Sequence, residues 1–106
     1  MGAFRLMFTL LPLGIAALAQ GADGVDVFAQ YCTPCHGADG KARTPAGKKL
    51  GAKDLSESKL PDAEIEKQIL GGKKDERGSD RMPAFKGRLT ESEVASLVVF
   101  VKTFRR

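Results

Sequence analysis

The chain has no tryptophan, one tyrosine, one histidine and two cysteines among its 106 residues. Each scarcity closes off a class of protein. The two cysteines, Cys32 and Cys35, are separated by two residues, and a disulfide across so short a loop stabilises little. Zinc needs about four ligands, and the chain has no further Cys or His to join Cys32, Cys35 and His36. No run of alternating residues reads as a strand, no internal repeat is visible, and no grouping resembles a catalytic dyad or triad. No apolar run reaches the roughly 20 residues that span a bilayer.

The most apolar stretch, Leu6 to Ala19, is interrupted by Pro12 and Gly14. It follows a short segment carrying Arg5 and ends in Ala17-Leu18-Ala19, small residues at the two positions that a signal peptidase reads. This order predicts a secretory signal peptide over residues 1–19, with a mature chain beginning near Gln20. No cysteine lies near the cleavage point, which argues against a lipoprotein. The remaining domain, residues 20–106, has 87 residues and a net charge of +3. So small a domain buries only about 60–65% of the surface its unfolded chain exposes. Such domains often depend on a disulfide, a metal or a bound cofactor.

Three helices are expected. From Gly24 to about Thr33, Val25, Phe28, Ala29 and Cys32 recur at the spacing of one buried helical face. Pro61 is suited to open a second helix, Ile65, Ile69 and Leu70 give it a narrow stripe, and Gly71-Gly72 end it. Thr90-Glu91-Ser92-Glu93 is a capping box, flanked by Leu89 and Val94 at hydrophobic-staple positions. Behind it Val94, Leu97, Val98 and Val101 form a stripe, with Phe100 and Phe104 beside it. Two long polar loops separate these helices, from Gly37 to about Leu60 and from Lys73 to Arg88. Loops of this length are uncommon in a compact domain unless they are functional or wrap around something.

What they would wrap is indicated by Cys32-Thr33-Pro34-Cys35-His36. A dithiol oxidoreductase also uses Cys-x-x-Cys, but its motif normally follows a strand and opens a helix, whereas here a helix is expected to end at the motif. Cys-x-x-C-His is the signature of c-type haem attachment. Two thiols three residues apart, on a turning chain, reach two vinyl groups of one porphyrin. The adjoining histidine is then carried to the iron as an axial ligand.

Electron-transfer haems commonly fill the other axial position with methionine. Once Met1 and Met7 leave with the signal peptide, Met82 is the only methionine. It lies in a loop between Arg81 and Pro83, 46 residues beyond His36, and not on a periodic helical face.

Gly24-x-x-x-Phe28, the haem motif, Met82-Pro83 and Leu97-x-x-Phe100 together resemble the small single-domain bacterial class I cytochromes c over residues 24 to 104. The resemblance implies an all-α, cytochrome c-like fold, with three main helices and two long loops wrapped around one covalently attached haem c. It implies that Gly24, Phe28, Leu97 and Phe100 form a close crossing of the first and last helices. It also implies that Pro45 supplies the carbonyl that fixes the free ring nitrogen of His36. The implied cofactor residues are therefore Cys32, Cys35, His36, Met82 and Pro45, with His36 and Met82 on the iron. Some members hold a haem propionate with tryptophan; this chain offers Arg43, Lys48, Lys49, Arg77 and Arg81 instead.

The function expected on this basis is periplasmic one-electron transfer by a soluble, monomeric carrier that is not an enzyme. Residues 41–53 hold five basic and no acidic residues, and residues 73–88 hold six basic and three acidic ones. These loops sum to +8 and the rest of the mature chain to −5. In the family both border the haem edge, which implies steering toward acidic patches on redox partner proteins. Nucleic acid is not an expected partner, because no aromatic residues interleave the basic ones. Three alternatives stay open: a haem subunit dedicated to one oxidoreductase, a gas-binding or peroxidatic haem protein, and a dithiol oxidoreductase.

Overall fold

The computed structural model describes residues 23–106, so the expected signal peptide lies outside the described residues. The order along the chain is α1 (Gly24–Tyr31), α2 (Thr33–His36), α3 (Pro45–Leu50), a 3-10 turn (Leu55–Glu57), α4 (Asp62–Gly71), β1 (Lys73–Lys74), β2 (Asp80–Met82) and α5 (Glu91–Lys102). All three expected helices are present. One further short helix, α3, the 3-10 turn and a two-stranded antiparallel ribbon, with Lys73 opposite Met82, occupy the stretches expected to be loops, and the other short helix, α2, forms at the cysteine motif.

Asp23 starts α1 by accepting a hydrogen bond from the Val25 amide at 3.1 Å. The helix stops at Tyr31, short of the expected Thr33. Pro34 has no N–H to donate one turn back, and its ring obstructs the carbonyl there, so α1 cannot continue through it. The same proline is tolerated in the first turn of α2, and the cysteine motif therefore forms a helical turn of its own. The expectation that a helix merely ends at the motif is corrected accordingly.

In the loop after His36, Thr44 caps α3, accepting from the Gly47 amide at 2.9 Å, and Pro45 is its first residue. Gly51 ends it at φ 71°, a left-handed conformation that glycine adopts without strain. Farther on, α4 begins after Pro61 and ends at Gly72, also at positive φ. A side chain at position 72 would meet the backbone of Met82 and Pro83, so this glycine lets the methionine segment lie against the end of α4. The capping box of α5 is formed in both directions: Glu93 N–H to Thr90 Oγ1 at 3.0 Å and Thr90 N–H to Glu93 Oε1 at 2.8 Å.

The core lies where α1 crosses α5. Phe28 is 3% exposed and Leu97 is fully buried, joined by Val27, Ile65, Ile69, Phe85, Leu89, Val94 and Val98. Burying one such side chain stabilises by about 1.5–3 kcal/mol. Gly24 permits the crossing: a Cβ there would meet the Ser96 carbonyl and stand 2.8 Å from Phe100 Cβ. The Phe28 ring then packs 5.3 Å from Phe100 and 5.1 Å from Phe104, centroid to centroid. The Gly24, Phe28, Leu97 and Phe100 quartet thus forms the crossing that the resemblance implies.

The basic end of α5 finds its partners across the fold. Lys102 pairs with Asp62 at 2.8 Å, and Arg105 donates to the Leu60 carbonyl at 2.5 Å. These ties fasten the C-terminus to the entrance of α4.

Candidate haem site

The α2 turn carries Cys32 at its N-cap and Cys35 and His36 within it. Both thiols are partly buried and not bonded to each other. Burial, and secondarily the neighbouring Cys35, push the Cys32 thiol up to about 11. That is opposite to the activation a dithiol oxidoreductase requires, since the thiolate is the attacking species. Among the described residues, no group of three or more His, Cys, Asp or Glu is arranged to hold a metal ion by itself.

His36 is half-buried, and its Nδ1 lies 3.0 Å from the carbonyl oxygen of Lys53. A carbonyl can only accept, so Nδ1 carries the proton and Nε2 keeps its lone pair. Burial lowers the histidine's pKa and the Lys53 bond partly opposes this. The net effect favours neutral imidazole, the form that binds a metal. The expected partner, Pro45, does not hold this position. Pro45 opens α3, and the chain passes through that helix and Gly51 before Lys53 returns to the ring. Loop length alone could not distinguish the two carbonyls.

Met82 stands at the end of β2, half-buried against the core. Gln68 on α4 directs its Nε2 to Met82 Sδ at 3.7 Å and to the Gly72 carbonyl at 3.2 Å. Two residues beyond Pro83, Phe85 is buried, and Tyr31 meets it edge-on with 5.8 Å between centroids. Arg88 covers the Phe85 ring, its Cζ 4.7 Å from the centroid. The residue just before Cys32 is thus packed against the segment just after Met82. Cys32 and Met82 also pack against one core cluster.

Gln68, Lys53 and the Tyr31–Phe85 contact were not singled out from the sequence. Gln68 is one polar residue on a helix, and a backbone carbonyl has no signature in side-chain letters. The edge-on ring pair was open to anticipation only through its neighbours, since Tyr31 abuts the motif and Phe85 follows Met82-Pro83.

The cysteine turn suits one haem: two unbridged sulfurs within one turn and an imidazole with a free Nε2. The fold and these residues define a c-type cytochrome. Residues 19–101 match the family described as Cytochrome C oxidase, cbb3-type, subunit III, and the chain belongs to this cytochrome c family. It is similar to cytochrome c6 of Nostoc sp. strain PCC 7120, at 33% identity over 92% of this chain and 91% of the relative. Cytochrome c6 of Picosynechococcus sp. strain PCC 7002 is 28% identical over 93% of this chain and 86% of that one. Among solved structures, the KustC0563 c-type cytochrome matches with a TM-score of 0.68 and 34% identity, covering 80% of this chain and all of that one. The chain is accordingly a small class I cytochrome c with one covalently bound haem c, attached through the Cys32–Cys35 pair, and it serves electron transfer. No described helix is long and apolar enough to cross a membrane.

Proposed function

We propose that the protein is a soluble periplasmic one-electron carrier whose iron is held axially by His36 Nε2 and Met82 Sδ. The observation that carries this reading is the His36–Lys53 bond, which leaves Nε2 as the free donor beside the two thiols. Met82, partly buried and met by Gln68, supports the second ligand. The haem supplies reversible one-electron exchange, and the protein supplies enclosure, orientation and electrostatics. A neutral thioether ligand and a dry surrounding favour the ferrous state and a high potential. Held by both His36 and Met82, the iron would have no position left for substrate, and it would exchange electrons only.

Residues 1–19 fit removal on export, which an intact-mass measurement of the periplasmic protein tests directly. The cations of residues 41–53 and 73–88 are exposed apart from half-buried Lys41, and they suit a weak, fast encounter with acidic patches on redox partners. A monomer is sufficient for this role.

The deciding experiment is Met82→Ala. The variant is expected to lose the sulfur–iron absorption band, fall in reduction potential and bind carbon monoxide when ferrous. An unchanged spectrum and potential would remove Met82 from the iron.

A second reading, a haem subunit serving one oxidoreductase, is favoured by one observation: the matching family is described by an oxidase subunit. Co-purification of the tagged protein with a single enzyme in stoichiometric amount would select it.

A further inference from the structure

The α2 turn is only four residues long, so nearly all its carbonyls lack intrahelical partners. Their partners can be traced one by one. The Cys32 carbonyl accepts from the Cys35 and His36 amides at 3.2 and 2.9 Å, that of Thr33 from Gly37 at 2.8 Å, and that of His36 from Ala42 at 2.8 Å. Pro34 and Cys35 remain, and among the described residues no backbone N–H reaches them. Both are met by a single side chain, Thr44, whose Oγ1 lies 2.8 Å from the Pro34 oxygen and 3.0 Å from the Cys35 oxygen.

The same oxygen accepts from the Gly47 amide at 2.9 Å, so one hydroxyl caps α3 while its proton is shared between two carbonyls of the cysteine turn. Gly47 completes the contact: a Cβ there would strike the Cys35 carbonyl, so the α3 backbone rests directly on the turn.

We propose that Thr44 is a positioning residue for the haem-bearing turn, fixing the Pro34–Cys35 peptides and through them the attitude of Cys35 and His36. Lys53 then sets the rotation of the imidazole, and Thr44 sets the backbone from which it projects. The inference rests on the axial reading of His36 only for its effect on the iron; its effect on the turn is independent of that reading.

Capping and donation can be separated by substitution in the holoprotein. Aspartate keeps an acceptor for the Gly47 amide but, ionised at pH 7, has no proton to give. Serine keeps both functions, and valine keeps the shape with neither. Two readouts serve: amide hydrogen exchange at Cys35, His36 and Gly37, and the spread of haem methyl shifts in the ferric NMR spectrum, which follows axial-ligand orientation.

Thr44→Asp and Thr44→Val are expected to speed exchange at these three amides about tenfold, while Thr44→Ser stays within twofold of the parent and α5 amides are unmoved. Only Thr44→Val should also loosen α3. The methyl spread should change in the first two variants and not in the third. Parent-like exchange in Thr44→Asp overturns the proposal, as does a serine variant that behaves like valine. If aspartate and valine fail to yield holoprotein, normal yield and exchange in Thr44→Ser support the hydroxyl's role, and failure of serine as well overturns it. Faster exchange without a change in methyl spread would overturn the part of the proposal that runs from the turn to His36, the Lys53 bond alone then fixing the ring.

Discussion

The Nε2 of Gln68 lies 3.7 Å from the Sδ of Met82. A thioether sulfur has two lone pairs, and an amide proton directed at one leaves the other for a metal. On the proposed ligation of the iron by Met82, donation from Gln68 would draw electron density from the sulfur, make it a poorer donor to ferric iron and favour the ferrous state. Gln68→Leu is expected to lower the reduction potential. A hydrogen bond of about 1 kcal/mol corresponds to roughly 40 mV for one electron. Protein-film voltammetry gives the value, and an unchanged potential would show that the contact does not act on the iron.

The α1–α5 crossing predicts a cost for the smallest substitution. Gly24→Ala gains less than the roughly 1 kcal/mol of propensity that a helix interior gives, since position 24 opens α1, and its methyl would collide with the Ser96 carbonyl and crowd Phe100 Cβ. Overpacking of this kind costs about 1–3 kcal/mol, so collision outweighs propensity and the variant should be destabilised. Guanidinium unfolding should show a lower midpoint at unchanged slope.

The ribbon leading to Met82 should be sensitive to acid. Asp75 Oδ1 accepts from the Ser79 and Arg77 amides at 2.9 and 2.8 Å, and these bonds, with Ser79's first, hold its pKa below the ordinary aspartate value. A depressed folded-state pKa means a contribution present above the unfolded value and lost as pH falls through the folded one. Amide exchange at Arg77 and Ser79, corrected for intrinsic rates, should therefore accelerate below about pH 4 in the parent. In Asp75→Asn, which keeps an uncharged acceptor, that acid step should disappear.

Haem-free protein offers a test of the thiols. With its pKa raised to about 11, Cys32 exposes roughly one thiolate in ten thousand at pH 7. Alkylation by iodoacetamide at Cys32 should be slow at neutral pH and rise about tenfold per pH unit up to pH 10. Fast alkylation at pH 7, with turnover of a disulfide substrate, would revive the oxidoreductase reading.

How much of this was legible in the letters depended on how local the cause was. The capping box at Thr90 and Glu93, the α5 stripe and the Gly71-Gly72 stop each arise from neighbours within a turn, and each stands where expected. The α3 helix escaped notice because its signal, a cap residue followed by proline, sits among glycines and lysines that read as loop. The ribbon lacks strand character because its burial is slight and its residues are charged. At the site, the cysteine motif and the lone methionine were visible as residue types. The groups that steady them were not, because Lys53 acts through its main chain and Gln68 acts across 14 residues.

The identity of the group that anchors His36 has a consequence for divergence. A main-chain oxygen is supplied by any amino acid, so the exposed side chain at position 53 is free to change sign or size without loosening the imidazole. The setting of the imidazole and the outer electrostatic coat are thereby decoupled at a single residue. Relatives could retarget their encounters by altering such positions while leaving the redox centre as it was.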